Sequence, residues 1–243
     1  MEIKRYKYLG NGKYKVFIDD ENFIIYEDII LKYNILNKDN ISKKELDIYL
    51  KDNMFYEAYY KAVSYINIKL RTSKEIDKYL SKDFSKKTVS NVIDRLTKDG
   101  YLNENVYVEA YINDQINLKI TGPLKIKSDL IKLGISDSVI DNHIDCYTKD
   151  MQYNKIKKVI EKELKLNTNK SSIMLKNKIL KNLIDKGFYK DDISYLISTY
   201  DFDESDIYQK EHKKIYDKLS KKYDGKELEY KVKEKLYQKG FRV

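Results

Sequence analysis

Along most of this chain apolar residues recur at i, i+3, i+4 and i+7, the period of one helix face. Three such sets stand about 51–53 residues apart: Val89, Val92, Ile93 and Leu96; Ile140, His143, Ile144 and Tyr147; Ile193, Leu196, Ile197 and Tyr200. Each follows a step of a turn residue and a hydrophobic residue. Gly134–Ile135, Gly187–Phe188 and Gly240–Phe241 are spaced by 53 and 53, and Asp83–Phe84 takes the same position 51 residues earlier. A second helix precedes each step, carrying the pairs Ile76/Leu80, Ile126/Leu130, Ile179/Leu183 and Val232/Leu236. A leading helix is expected at about 54–68, 104–118, 150–165 and 204–221. The unit is therefore three helices in roughly 50 residues, a size that cannot bury enough surface alone and gains a core by stacking.

The glycine at each step suits the left-handed residue that closes a helix, with the next residue folding back on the last turn. Asp83 is expected to take that conformation in the first copy, because Asp tolerates it better than most residues. The start of the chain reads differently. Tyr14–Ile18 and Phe23–Tyr26 flank a polar turn and predict a β-hairpin. Glu27–Tyr33 follows as a short helix. Ser42 with Glu45 three residues on predicts a capping box, and Ser73 is the expected N-cap of the second helix of the first repeat.

The predicted fold is mostly α: an elongated, curved array of tandem, helix-turn-helix-like three-helix repeats with a small N-terminal β-hairpin plus helix. The hairpin segment takes 1–52. Three-helix repeats take 53–103, 104–148 and 149–202, and a partial two-helix repeat takes 203–243. Composition agrees, since one Pro and eight Gly in 243 residues are too few for a mostly β fold.

Charge adds a direction. The chain carries formal net charge +9, yet Lys, Asn, Ile and Tyr all have A/T-rich codons, so the total says less than its distribution. Residues 149–190 hold twelve lysines against four acids, whereas 1–55 and 191–243 balance. Lys155, Lys158, Lys162 and Lys165 fall at i, i+3, i+7 and i+10 on one helix, joined by Lys157, Lys176, Lys178 and Lys181. Such a stripe offers point charges to phosphates or to an acidic groove, without base readout. Arg71 and Lys74 at an exposed helix start, and Arg95 and Lys98 in "SNVIDRLTKDGYL", are further contact candidates. In a winged helix Arg95 or Lys98 would reach the major groove.

Catalysis finds no support. There are two histidines: His143 on an apolar repeat face and His212 in a charged run. No phosphate loop, metal motif or nucleophile elbow occurs. The single Cys146 excludes an intrachain disulfide and reads as a buried thiol. Asp191–Asp192 read as helix-start acids. No catalytic residue, metal or cofactor is predicted. Without a signal peptide or an apolar run near 18 residues, the expectation is a cytoplasmic monomer with no membrane partner.

Several motifs, in this order and spacing, resemble the RecX family, regulators of the RecA recombinase, over nearly the whole chain. Arg71, Ser73, Glu75 and Ile76 match "R-S-x-x-E-L", with Ile for Leu. Gly100, Tyr101, Leu102, Asn103, Tyr107, Tyr111 and Ile112 match "GYLND-x-x-YA-x-x-YI". Gly122, Pro123, Ile126, Leu130, Gly134 and Ile135 match "GP-x-x-I-x-x-x-L-x-x-KGI", with Leu133 in place of Lys. With Gly187 and Gly240, these motif residues are read as structural. The resemblance implies binding in the helical groove of the RecA filament, together with DNA, single- or double-stranded, through its backbone charge. It implies inhibition of ATP hydrolysis, strand exchange and recombination or SOS activity. The residues alone leave open a winged-helix-like DNA-binding regulator and a helical adaptor.

Overall fold

The computed structural model describes residues 1–242. Among them are twelve α-helices and one three-stranded antiparallel sheet. Contacts divide the chain into two compact units, residues 1–107 with 133–135, and 108–132 with 136–243.

In the first unit β1 (Ile3–Gly10), β2 (Lys13–Ile18) and β3 (Glu21–Tyr26) pair in chain order. The expected hairpin is β2–β3, with Val16 opposite Phe23. The extra strand β1 was hidden by its composition: "IKRYKYLG" is mostly exposed and alternates weakly. A signal for it was present, since Asn11–Gly12 is the dipeptide favoured between hairpin strands. Both residues take positive φ there.

Helix α1 (Glu27–Lys32) follows, then a single 3₁₀ turn at Ile35–Asn37. Val16, Ile18, Ile25, Ile29, Ile30, Ile35 and Leu46 form one buried cluster under the sheet. Burying such side chains contributes about 1.5–3 kcal/mol each. Helix α2 (Lys43–Ile66) runs unbroken across residues 52–53. Its N-terminal half covers the sheet, and its C-terminal half packs Ala58, Ala62 and Ile66 on α3 (Ser73–Leu80) and α4 (Lys86–Lys98).

The capping box on α2 is formed. Ser42 Oγ accepts from Glu45 N at 3.2 Å, and Glu45 Oε2 accepts from Ser42 N at 2.8 Å. Lys38 Nζ donates to the other carboxylate oxygen at 2.9 Å. Donation by the Ser42 backbone, then Lys38, then the Ser42 hydroxyl holds Glu45 down at about 2 against an ordinary 4.5. Because the folded value is depressed, this contribution is whole above pH 4.5 and is lost as pH falls toward 2. Glu45→Gln should therefore lower the thermal midpoint at pH 7, and the gap to the unsubstituted protein should close by pH 2. A gap independent of pH would contradict this.

The expected cap of α3 shifts by one residue. Thr72, not Ser73, is the N-cap, and it makes the capping box with Glu75. Asp83 also departs from expectation, since its φ is not positive and α3 ends at Leu80 in a turn that returns Asp83 N and Phe84 N to Leu80 O.

In the second unit α6 (Pro123–Lys132), α7 (Asp137–Ile144), α8 (Lys149–Leu166), α9 (Ser172–Asp185), α10 (Lys190–Ser198), α11 (Ser205–Leu219) and α12 (Gly225–Gln238) follow α5 (Glu104–Leu118). The apolar pairs of the second helices, Ile76/Leu80, Ile126/Leu130, Ile179/Leu183 and Val232/Leu236, are all buried. Helix α9 closes as expected: Gly187 has φ +84, Phe188 N returns to Leu183 O at 3.1 Å, and Gly187 N returns to Ile184 O at 2.8 Å. Phe188 is buried behind it, and Gly240–Phe241 repeats the geometry after α12. No helix among the described residues is long and apolar enough to cross a membrane.

The glycine step has a second duty that periodicity did not reveal. It receives the start of a second helix from the repeat before. Gly122 N donates to Lys186 O at 2.7 Å, and Leu124 N donates to Gly187 O at 3.0 Å. A Cβ on Gly122 would lie under 3.0 Å from the backbone of Gly187 and Phe188. The same meeting recurs with different donors. Thr72 Oγ1 donates to Leu133 O at 2.9 Å, beside Gly134, and Ser171 Oγ donates to Lys239 O at 2.9 Å, beside Gly240. The first repeat has no predecessor to dock on its step, which explains why Asp83 suffices there.

Candidate cationic site

Helix α8 buries Gln152, Ile156, Val159 and Ile160, and α9 buries Leu175, Ile179 and Leu183. With 3.6 residues per turn, Lys158, Lys162 and Lys165 fall on the side of α8 opposite Ile156 and Ile160. They are exposed, as are Lys157 and Lys181, and none of the five forms an ion pair among the described residues. Their charge is available to a partner.

Three of the predicted lysines are occupied. Lys178 pairs with Glu163 at 2.6 Å, and the Lys176 ammonium lies 4.7 Å over the Phe202 ring. Lys155 leaves the stripe altogether. Its Nζ donates to Gln115 O at 3.0 Å and to Lys119 O, so it caps the C-terminal carbonyls of α5. Burial, then the neighbouring Lys158, pushes its ammonium below the ordinary lysine value. Sequence spacing could not separate Lys155 from Lys158, because the difference lies in what a helix distant in sequence places opposite each.

Around Lys155 a buried polar knot forms. Tyr147 OH donates to Thr121 O at 3.0 Å, Gln152 Nε2 donates to Tyr147 O at 2.7 Å, and Thr121 Oγ1 donates to Gln115 Oε1 at 3.1 Å. It fixes the segment that enters Gly122–Pro123, both of them buried. Tyr111 is half-buried, and burial, then Asp129, raises its phenol above the usual value.

In the first unit Arg71 is not an exposed cap residue. Its side chain is 11% exposed, and Nη1 meets Glu75 at 3.2 Å. The guanidinium lies 3.7 Å over the Tyr65 ring. Its buried Nε has no hydrogen-bond partner among the described residues. Arg71 and Ser73 line a cavity of about 320 Å³ together with Leu102, Asn103, Glu104 and Tyr107. Lys74 packs its aliphatic stem beside Gly134. Arg95 Nε donates to Asp99 at 2.8 Å, and Tyr59 OH donates to the same oxygen at 2.7 Å. Burial, then Asp99, pushes that Tyr59 phenol up to about 12. Lys98 is exposed. Tyr101 follows the left-handed Gly100, its N–H closing α4 on Leu96 O at 2.9 Å while Leu102 turns inward.

Two side chains differ from their expected surroundings. Cys146 is exposed rather than buried, and partial desolvation, then Glu109 and Asp145, raises its thiol, which disfavours the reactive thiolate. His143 is half-buried rather than fully in the core. Both sit near the end of the short α7, where only Ile140 is buried. Among the described residues, no group of three or more His, Cys, Asp or Glu is placed to hold a metal ion.

Tandem three-helix repeats and a concentrated lysine face define a helical-repeat protein whose charge gathers on one pair of helices. No family model matches the chain. Regulatory protein RecX of Bacillus thuringiensis subsp. konkukian is 30% identical over 241 residues, covering 95% of this chain and 89% of that protein. Regulatory protein RecX of Bacillus cytotoxicus is 29% identical over the same length and coverage. A crystal structure of regulatory protein RecX superposes with TM-score 0.68 at 21% identity, covering 81% of this chain and 98% of that one, and so supports the fold. The chain belongs to the RecX family of regulatory proteins.

Proposed function

We propose that this protein binds the RecA nucleoprotein filament in its helical groove and lowers its ATP hydrolysis and strand exchange, restraining recombination and SOS activity. The observation that carries this reading is the set of exposed, unpaired lysines on α8 and α9 in a chain of the RecX family. These lysines supply an anionic filament with attraction that does not depend on base sequence. DNA, single- or double-stranded, takes part through its phosphates. The protein acts as a cytoplasmic monomer and not as an enzyme. A duplex-reading role for α4 has less support, because its single arginine is engaged by Asp99 and bidentate base contacts need a free fork.

Titration into RecA on single-stranded DNA with ATP should slow hydrolysis in a saturable way. Folded protein that leaves both hydrolysis and filament length unchanged would overturn the proposal.

A further inference from the structure

Three lysines outside the sequence-predicted contact set line one cavity of about 660 Å³ in the second unit. Lys119 comes from the end of α5, Lys125 from the first turn of α6, and Lys186 from the C-cap of α9. Ile120, Thr121, Asn182 and Asp185 complete the wall. Lysines that line one cavity from three different segments offer positive charge to an anion seated in it.

Little in the protein neutralises them. Lys125 Nζ lies 3.7 Å from Asp129, and neither Lys119 nor Lys186 forms an ion pair among the described residues. Asp185 is the one acid on the wall, and with Asp129 beside Lys125 it sets two carboxylates against three lysines. Yet the backbone at each lysine is fixed. The Lys119 carbonyl accepts from Lys155, the Lys186 carbonyl accepts from Gly122 N at 2.7 Å, and Lys125 lies against Gly187. Fixed roots, with two of the three heads free of ion pairs among the described residues, suit an anion seat.

We infer that this cavity seats the phosphodiester backbone of a nucleic-acid strand, with Lys119, Lys125 and Lys186 as its contacts. The wall carries no aromatic ring to stack a base and no arginine fork to read one, so binding is independent of sequence. It also lacks the aromatic or arginine anchors at which protein interfaces concentrate their energy, Ile120 being its only large apolar side chain. The inference rests on the DNA-linked role proposed above and moves part of it from the exposed lysine stripe to a built site at the joint between repeats. Lys155 acts there as a positioning residue, through the Lys119 carbonyl.

The test uses the full chain with Lys119, Lys125 and Lys186 together replaced by Ala, and labelled oligodeoxythymidine or a duplex of equal length, without RecA. Fluorescence anisotropy across a salt series gives affinity and slope. Loss of three phosphate contacts should flatten the log–log salt slope by about 2 for the single strand and about 3 for the duplex. Affinity at low salt should fall at least tenfold. A larger effect on one probe names the preferred strand form. Lys125→Arg alone, which keeps the charge, should retain most of the binding. Circular dichroism melting checks that the triple variant folds; should it not, the three single variants are measured in the same way.

An unchanged slope with folded variant, or no DNA binding by the unsubstituted protein, overturns the inference. So does weaker binding to DNA-free RecA with an unchanged DNA slope, which would assign the cavity to an acidic protein face. The two readings fail separately: a lost slope beside an inert RecA assay removes the filament role alone, and an unchanged slope beside slowed hydrolysis removes the cavity alone.

Discussion

Gly187→Ala should destabilise the protein more than Gly100→Ala, although both glycines have nearly the same left-handed backbone, φ +84 and +82. At Gly100 an added Cβ meets nothing within 4 Å, so only the conformational penalty applies, about 1–2 kcal/mol. At Gly187 the new methyl would also lie under 3.0 Å from the backbone N and Cα of Lys125. Overpacking of this kind adds about 1–3 kcal/mol. Gly122→Ala separates the two costs. Its φ is not positive, and its Cβ would meet the backbone of Gly187 and Phe188 instead. The expected order of loss in urea unfolding is Gly187→Ala, then Gly122→Ala, with Gly100→Ala the mildest. Equal losses at Gly187 and Gly100 would show that the repeats do not meet through this contact.

Reversing Lys158, Lys162 and Lys165 to Glu should weaken association with the RecA filament at least tenfold at low salt, and flatten its salt dependence. All three are exposed and free of ion pairs among the described residues, so folding should be little affected. Lys155 is left intact on purpose. A glutamate there would place a carboxylate against the carbonyls of Gln115 and Lys119, and a loss of binding would then report a loosened α5. If the triple variant slows RecA ATP hydrolysis at the same concentration as the unsubstituted protein, these lysines are a solvated face and the filament is held elsewhere.

The two variant sets probe different levels of the molecule. The glycines hold one repeat against the next, and the lysines project from the elements so held. The filament role proposed above needs both, because point charges give useful affinity only when their spacing is kept.

Helical periodicity was legible because it is local. Ile179 and Leu183 lie one turn apart, and a helix must turn both inward if it turns either. The left-handed glycines were legible for the same reason, since the penalty on a Cβ there belongs to the residue itself. The capping box at Ser42 and Glu45 needs only its own four residues. Strand β1 was missed because a lysine-rich edge carries little apolar alternation, and the cap of α3 was placed on Ser73 because Thr72 beside it has equivalent chemistry.

The candidate site was only partly readable. The sequence concentrated lysine in 149–190 but could not say which lysines were free. That depends on partners 15 to 40 residues away: Gln115 for Lys155, Glu163 for Lys178. Lys119 and Lys125 lie outside the lysine-rich stretch and Lys186 inside it, and only their place around one cavity makes them a group.

By itself, then, the sequence determined the repeat, its helix faces, its glycine stops and the family, all of them properties of short-range geometry or of motif order. The tertiary structure alone decided what second contact the glycine stops make, which lysines are spent on carbonyls and rings, and where three lysines line one cavity. The physical reason is common to all three. Close backbone approach, desolvation and charge convergence are set by atoms distant in the chain, and no local pattern of residues encodes the distance between them.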